Sequence, residues 1–340
     1  MTLKKRQYIF IISCILLLIA GGIGGWLYKS AYKQYDGQTA AIVLIPENSD
    51  KDSVEKILTE GLGEFGKDVY RMWSLRGAKT EKAPGYYVVQ PGDKAWSVAS
   101  RILSGQSSTL RVSFNSIRTI NDLASRIARY FPWSDKEFLV AMDSVLPQKG
   151  YVSATYPAAF IPDSYDFYGN ATPADVITKL SEYTDKFWND SRREQAQKLG
   201  LTPAEVHTVA SIVEEEANDP GERSRVASLY LNRLRQGMKL QADPTVKFAI
   251  GDFSLRRITG EHLKYDSPYN TYLVNGLPPG PIRVADARTI DAVLQAPETD
   301  YVYMCADETR PGFHNFTADY NTHLANARRY WQWLNERGIK

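Results

Sequence analysis

The sequence predicts an α+β chain: one apolar N-terminal transmembrane helix, a small region of βα units, and a mainly helical C-terminal part with few strands. Three observations carry this reading. Residues 7–28 are free of charge; between 41 and 130 an extended run, a turn and an amphipathic helix follow one another three times; and from Thr202 onward helix caps and helical periodicity dominate. The alternation could also be read as a parallel α/β sheet, but extended runs are too sparse after Pro132 to build one. A chain of 340 residues, 43% hydrophobic and 24% charged, is long enough for two or three domains with cores of their own.

Residues 7–28, QYIFIISCILLLIAGGIGGWLY, approach the roughly 20 apolar residues that cross a bilayer, with Tyr8, Trp26 and Tyr28 near the ends. A signal peptide is the alternative. The run is longer than a signal core and no small-x-small cleavage site follows it, so an uncleaved anchor is expected. Lys4, Lys5 and Arg6 precede it, which places residues 1–30 as a cytoplasmic tip and single-pass anchor in the cell (inner) membrane. Everything after Lys29 is then exported, to the periplasmic or extracytoplasmic side. Cys14 weakly imitates a lipoprotein site but reads as a membrane residue, and Cys305 then has no disulfide partner. Without Lys4, Lys5 and Arg6 the chain holds 38 basic against 39 acidic residues, and no basic patch points to nucleic acid.

The three βα units of residues 41–131 are 41–45 followed by 51–60; 86–89, the turn Gln90-Pro91-Gly92-Asp93 and a helix through Ala95, Val98, Ala99 and Ile102; and 110–114 followed by 117–130. Each is half-amphipathic and needs neighbours for burial. The middle unit, with Tyr87-x-Val89-x-x-Gly92-Asp93, resembles the LysM module, a βααβ fold that binds N-acetylglucosamine-containing glycans. The alternative, which the residues favour, is that Tyr87, Val89 and Trp96 are plain core. Residues 132–200 form a linking segment in which Tyr165, Phe167 and Tyr168 are either a wall for stacking on sugars or a buried aromatic turn.

The most informative stretch is 202–246, within the last division, 201–340. Thr202 is an N-cap, Pro203 stands at the first helical position, and Glu205 closes a capping box. Projected at 100° per residue, Val206, Val209, Ala210, Ile212, Val213 and Ala217 form one apolar arc. Glu214 and Glu215 project away from it with His207, Thr208 and Ser211, whereas Glu216 falls among Val209, Ile212 and Val213. Desolvation there would raise its pKa and suit it to general acid catalysis; the plainer reading is an ion pair with Arg223 or Arg225. A turn at 218–221 and a second helix, about 222–236, come next, with Gly237 as the stop of that helix.

Beyond that helix, Asp243-Pro244 looks like a helix cap, whereas Gln241 has no structural excuse and ranks above Asp243 as a substrate contact. The loop 267–282, with four prolines and two glycines, offers Tyr269, Asn270, Thr271 and Tyr272 as a rim. A helix at 285–296, a strand at 301–306, His314 and a final helix at 320–337, packed as a lid, complete the chain.

These residues together resemble the YceG-like, membrane-anchored endolytic murein (lytic) transglycosylases. The resemblance runs from about Pro162 to Tyr330 through Ala210-Ser211-Ile212-Val213 with Glu214 and Glu216, Asn232-Arg233-Leu234, Gln241 with Asp243-Pro244-Thr245-Val246, Tyr269-Asn270-Thr271-Tyr272, Gly276-Leu277-Pro278-Pro279-Gly280 and His314. It implies a lysozyme-like catalytic fold, Glu216 as the catalytic acid, and Glu214, Asn232, Gln241, Asp243, Asn270, Thr271, Tyr272 and His314 as substrate-binding residues. The extra acid, Glu215, is expected to be silent.

The implied reaction cuts the β-1,4 bond between N-acetylmuramic acid and N-acetylglucosamine in nascent peptidoglycan without water. Glu216 acts as acid and then base, and the product ends in 1,6-anhydromuramic acid. Glycan strands are the implied partner, with peptidoglycan synthases (penicillin-binding proteins) beside it, and a role in ending strand elongation. Hydrolysis by a muramidase would require a second carboxylate, Asp243 or Glu214. A non-catalytic, membrane-tethered glycan-binding scaffold is the reading from another class. No metal site or cofactor is expected, because the four histidines are scattered and nucleotide-binding loops are absent.

Overall fold

The computed structural model describes residues 3–255 and 257–337. In chain order the elements are α1 (Leu3–Tyr32), β1 (Ala41–Ile45), α2 (Lys51–Leu62), α3 (Glu64–Leu75), β2 (Gly85–Val89), α4 (Ala95–Ser104), β3 (Thr109–Ser113), α5 (Ile120–Ala128), α6 (Asp135–Val145), β4 (Ser164–Tyr168), α7 (Pro173–Phe187), α8 (Asp190–Lys198), α9 (Pro203–Glu216), α10 (Arg223–Arg235), α11 (Asp243–Ile250), α12 (Ala287–Leu294), β5 (Tyr303–Ala306), β6 (His314–Thr317) and α13 (Tyr320–Glu336). The architecture is α+β, mostly helical, with short paired strands. The chain forms two compact units, residues 1–111 with 166–171, and 112–165 with 172–340. The third βα unit of the sequence is therefore divided between them, and residues 132–165 and 172–200 belong with the C-terminal part.

In the first unit, Phe10–Tyr32 of α1 is apolar and long enough to cross a membrane, with mean hydropathy 2.3. Strand β1 pairs antiparallel with β2, Ala41 opposite Val89 and Ile45 opposite Gly85. Antiparallel pairing removes the parallel-sheet alternative here. The helix expected over 51–60 runs on to Leu62, and Gly63 (φ 59°) turns the chain straight into α3, which periodicity does not indicate. Gly66 makes that turn tight, since a Cβ there would stand 1.9 Å from the Leu58 carbonyl oxygen. The core beneath holds Val43, Ile45, Val54, Leu58, Trp73, Tyr87, Val89, Val98 and Ile102. Tyr87 and Val89 are thus core residues, while Trp96 is 45% exposed.

The middle unit taken alone does not have the βααβ order of a LysM module; that order of elements is met within 41–89 instead, by β1, α2, α3 and β2, with the two strands antiparallel. One helix, α4, separates β2 from β3, and their strand partners are β1 and β4 respectively. Tyr165 and Phe167 are buried and only Tyr168 is open to solvent, so the first two are core and not a glycan wall. The physical reason is the alternation of β4, which sends its odd-numbered residues inward.

The second unit is built around α9 and α10. Both are packed on α12, and α9 also touches α8 and α11. Val206, Val209, Ile212, Val213, Val226, Leu229, Tyr230 and Ile290 form the shared core. The capping box at Thr202 is made as expected, with Thr202 N–H donating to Glu205 Oε2 over 2.7 Å and Glu205 N–H donating to Thr202 Oγ1 over 3.3 Å. Strands β5 and β6 form an antiparallel hairpin, Tyr303 opposite Thr317, where the sequence pattern indicates a strand only for the first half. Helix α13 packs on this hairpin and not as a lid over the unit. Its apolar residues are only partly covered, and Trp331 remains 50% exposed.

Candidate active site

Helix α9 does not have the solvent face its projection implies. His207, Thr208 and Ser211 are all buried, because α12 and the backbone of residues 282–286 cover that side. Ile282 N–H donates to Ser211 Oγ (3.0 Å) and Ala285 N–H donates to His207 Nε2 (3.0 Å). Burial holds His207 neutral, with its pKa lowered to about 3. The loop that supplies these amides reaches its place through Gly280, where a Cβ would lie 1.9 Å from the Ala154 carbonyl oxygen. A helix hydrophobic on one side has thus been sheathed on the other by polar groups that find partners.

The three consecutive glutamates at its end are sorted by this sheath. Glu214 lies 3.0 Å from Arg283 and accepts hydrogen bonds from Asp286 N–H (2.8 Å) and Thr289 Oγ1 (2.9 Å), with its side chain 7% exposed. Glu215, expected in open solvent, instead pairs with Arg283 (2.7 Å) and Arg118 (3.2 Å). Burial pushes the Glu214 carboxyl up, against the pull of Arg283. The two acids expected to face solvent are therefore both neutralised within the fold.

Glu216 is treated differently. It is the last residue of α9, half-buried, and among the described residues its carboxyl makes no hydrogen bond and no ion pair. The plain alternatives are otherwise engaged: Arg223 with Asp286 (2.8 Å) and Arg225 with Glu222 (3.8 Å). Burial first, and then the negative charge of Asp243, push its pKa to about 7; Lys247 and Arg233 oppose the rise without cancelling it. The carbonyl end of the helix dipole adds to the penalty on the anion.

Around it stand groups from three other elements. From α10 come Tyr230 and Arg233, from α11 Asp243 and Lys247, and from the 267–282 loop Tyr272. Asp243 is exposed and accepts from Tyr272 Oη at 2.7 Å. It does not cap α11, whose N-cap is Ala242, because the Asp243 carboxylate is turned to Tyr272 instead. Burial and the charge of Asp243 raise the Tyr272 pKa, so its hydroxyl stays protonated and donates. Arg233 donates to the carbonyls of Leu240 (2.6 Å) and Val302 (2.7 Å), clamping the backbone that leads into Gln241. Gln241 itself has φ 52°, a left-handed conformation unusual for a side-chain-bearing residue, and its N–H donates to Thr271 O over 3.1 Å. Its side chain is exposed and, among the described residues, unbonded.

The other expected substrate contacts are occupied internally. Asn232 donates to the carbonyls of Thr299 (2.7 Å) and Tyr301 (2.9 Å), and Asn270 to those of Leu263 (3.0 Å) and Tyr265 (2.8 Å). Thr271 Oγ1 accepts from Ala242 N–H (3.0 Å) and is bonded to Thr245 Oγ1 (2.8 Å), all three residues being buried. His314 is held by the fully buried Glu222 through both its amide and Nδ1, each at 2.9 Å. The sequence offers Arg233 as half of an Asn-Arg pair that is either a solvated face or a local clamp, and the structure makes it a clamp; sequence reasoning passes over Arg283 and Arg118. A signal is available for Arg283, which directly follows Gly-Pro-Ile at the end of the proline-rich loop.

The sequence model described as the YceG-like family matches residues 43–329, which takes in most of each unit, without α1, and every group just described. The chain belongs to the YceG-like family. YceG-like relatives include a protein of Bacillus subtilis called "Endolytic murein transglycosylase", 26% identical over 349 residues that cover 94% of this chain and 93% of that one. A Streptococcus pneumoniae protein of the same name is 34% identical over 341 residues, covering 88% of this chain and 61% of its own. Among solved structures, a yceG-like protein of Listeria monocytogenes is similar with a TM-score of 0.55 and 26% identity, covering 85% of this chain and 99% of that one.

Proposed function

We propose that this chain is an endolytic murein transglycosylase, a peptidoglycan lyase in which Glu216 is the single catalytic acid and base. The observation that carries this is the sorting of the three glutamates: Glu214 and Glu215 are bound to Arg283, whereas Glu216 has no hydrogen-bond or ion-pair partner among the described residues and a pKa raised to about 7. A group poised there gives up and regains a proton at neutral pH. The names of the relatives support the substrate class.

In this reading the protonated Glu216 donates to the glycosidic oxygen as the bond from muramic acid C1 breaks, releasing the N-acetylglucosamine hydroxyl. The charge developing at C1 is shared with the 2-acetamido group of the same sugar. Glu216, now a carboxylate, takes the proton of the C6 hydroxyl while O6 bonds to C1, and the 1,6-anhydro ring closes. No water is consumed. Gln241, whose side-chain amide is unbonded among the described residues, and Tyr272 are the residues that touch sugar; Asn270 and Thr271 position the backbone around them, while Asn232 holds residues 299–301 and His314 is held by Glu222 at the start of α10. Helix α1 serves as a single-pass anchor with the N-terminus in the cytoplasm, so that the catalytic part works outside the membrane on strands newly made by peptidoglycan synthases.

Among the described residues Asp243 is the further carboxylate beside Glu216 that has no ion pair, and a hydrolytic reading would rest on it. Mass spectrometry of products from uncrosslinked glycan strands decides between the two. Ends lighter by one water than hydrolytic ends are expected from the full chain in detergent, and none from Glu216→Gln. Reducing ends would replace this reading by a muramidase, and uncut strands that co-sediment with the protein would replace it by a glycan-binding scaffold.

A further inference from the structure

Helix α1 does not end in a loose linker. Ser30 donates to Asp68 of α3, Lys33 lies 3.0 Å from the same carboxylate, and Arg71 donates to both Ser30 (2.7 Å) and Asp68. Ser30 and Ala31 are buried against the first unit, and Asp68 is held below the usual carboxylate range by these donors, although its burial works the other way. Two helices joined by such a network behave as one body.

The order of the contacts sets a direction. Asp68 meets Lys33 and Ser30, whereas Arg71, one turn later in α3, meets Ser30 and lies 4.2 Å over the ring of Trp26. The helices are therefore antiparallel, and α3 advances along α1 toward its apolar stretch. Leu75 lies four residues past Arg71, about 6 Å further in that direction. It is 62% exposed, an unusual state for the last residue of a helix that otherwise buries its apolar side. Arg76 follows, 4.0 Å over Trp96 of α4, which is itself 45% exposed. Lys94 lies 5.1 Å over Tyr32. Among the described residues neither Arg76 nor Lys94 has an acidic partner.

We propose that the end of α3, with Arg76 and the Trp96 ring it covers, is a membrane-contact surface seated among the anionic phospholipid headgroups that surround α1. The inference rests on the reading of α1 as an anchor and extends it. Trp26 and Tyr28 stand where an apolar helix leaves the hydrocarbon, the level at which aromatic rings collect. Because α3 is fixed to α1 at that level, its next turn reaches the hydrocarbon edge of the headgroup layer. Leu75 and Trp96 supply the apolar contact there, and Arg76, carried on the Trp96 face and without a carboxylate partner among the described residues, supplies charge for lipid phosphates. The first unit is thereby held at one height and tilt instead of swinging on a tether.

The test uses the full chain with Cys14→Ala and Cys305→Ala, reconstituted in vesicles of mixed phosphatidylcholine and phosphatidylglycerol. A nitroxide at Leu17→Cys or Leu75→Cys is read by its collisions with oxygen, which favours lipid, and a nickel chelate, which favours water. The Leu17 label is expected to be strongly oxygen-favoured and the Leu75 label oxygen-favoured to a lesser degree. That preference at Leu75 is expected to be lost in pure phosphatidylcholine and in the variant Arg76→Glu. A nickel-favoured label at Leu75 beside an oxygen-favoured one at Leu17 overturns the proposal and leaves the anchor standing. A preference at Leu75 that survives in neutral vesicles overturns the role of anionic headgroups. A nickel-favoured label at Leu17 overturns the anchor, and the proposal with it.

Discussion

Replacing Glu216 by glutamine is expected to stabilise the fold in alkaline solution and to leave it unchanged in acid. Folded Glu216 keeps its proton up to about 7, whereas the unfolded chain loses it near the ordinary carboxylate value of 4.5. Folding therefore takes up a proton between those limits, and stability falls by ~1.4 kcal/mol per pH unit as the pH rises through them. The full window amounts to ~3 kcal/mol, and the contact that the half-buried carboxyl keeps with water reduces it to about 2 kcal/mol. Glutamine has the same shape and no charge, so the variant escapes the penalty. Urea titrations of the full chain in detergent, followed by tryptophan fluorescence, are expected to give equal midpoints near the acid end of the window and a higher midpoint for Glu216→Gln above it. A difference that does not change with pH, or a less stable variant in alkali, would show that Glu216 is ionised and paired in the fold, and would refute the argument for its acidity. In the same variant, cleavage of glycan strands is expected to fall by ~10²–10⁴, the usual contribution of a general acid or base.

Neighbouring groups give four further expected outcomes. Asp243→Asn removes the charge that helps raise Glu216, so the alkaline limb of the wild-type pH profile of kcat/KM, expected at about 7, moves to lower pH; an unmoved limb would mean that burial alone sets it. Arg283→Ala strands the nearly sealed Glu214 and should cost about 3–5 kcal/mol in chemical denaturation, partly restored by adding Glu214→Gln; no restoration would show that the arginine acts by packing alone. Asn232→Ala loses the bonds to Thr299 and Tyr301 and is expected to lower stability by about 1–3 kcal/mol with KM unchanged, whereas a raised KM at normal stability would make it a substrate contact. His207 is buried neutral, so it costs stability as the pH falls from 6.5 toward about 3, by ~1.4 kcal/mol per pH unit. His207→Gln should flatten that acid limb while still accepting from Ala285, and a limb left as steep would place the sensitive group elsewhere.

Some of this molecule can be read without its structure because the causes are local. The capping box at Thr202, the stop at Gly237 and the charge-free run of α1 depend on residues a few positions apart, and the α+β character follows from them. Glu216 also stands out, since its place at the end of an amphipathic helix is a matter of angle. Its neighbours are hidden because long-range packing decides which groups meet. The same projection sends Glu214 and Glu215 to solvent, and it contains no sign that α12 and the 282–286 backbone cover that face and bring Arg283 to both. Asp243 looks like a cap, and only the return of the 267–282 loop turns it toward Tyr272. Asn232, Asn270 and Thr271 carry groups suited to sugars, yet the structure engages them with carbonyls and hydroxyls within the unit. Periodicity likewise names three βα units as neighbours in a row, although β1 pairs with β2 and β3 with β4. What the sequence determined about this protein is which side of each helix must be buried and which acid stands at its end. Which partners neutralise the other acids, and so leave Glu216 alone with its proton, was decided by the tertiary structure, because a side chain's charge state depends on what the fold brings within a few ångströms of it.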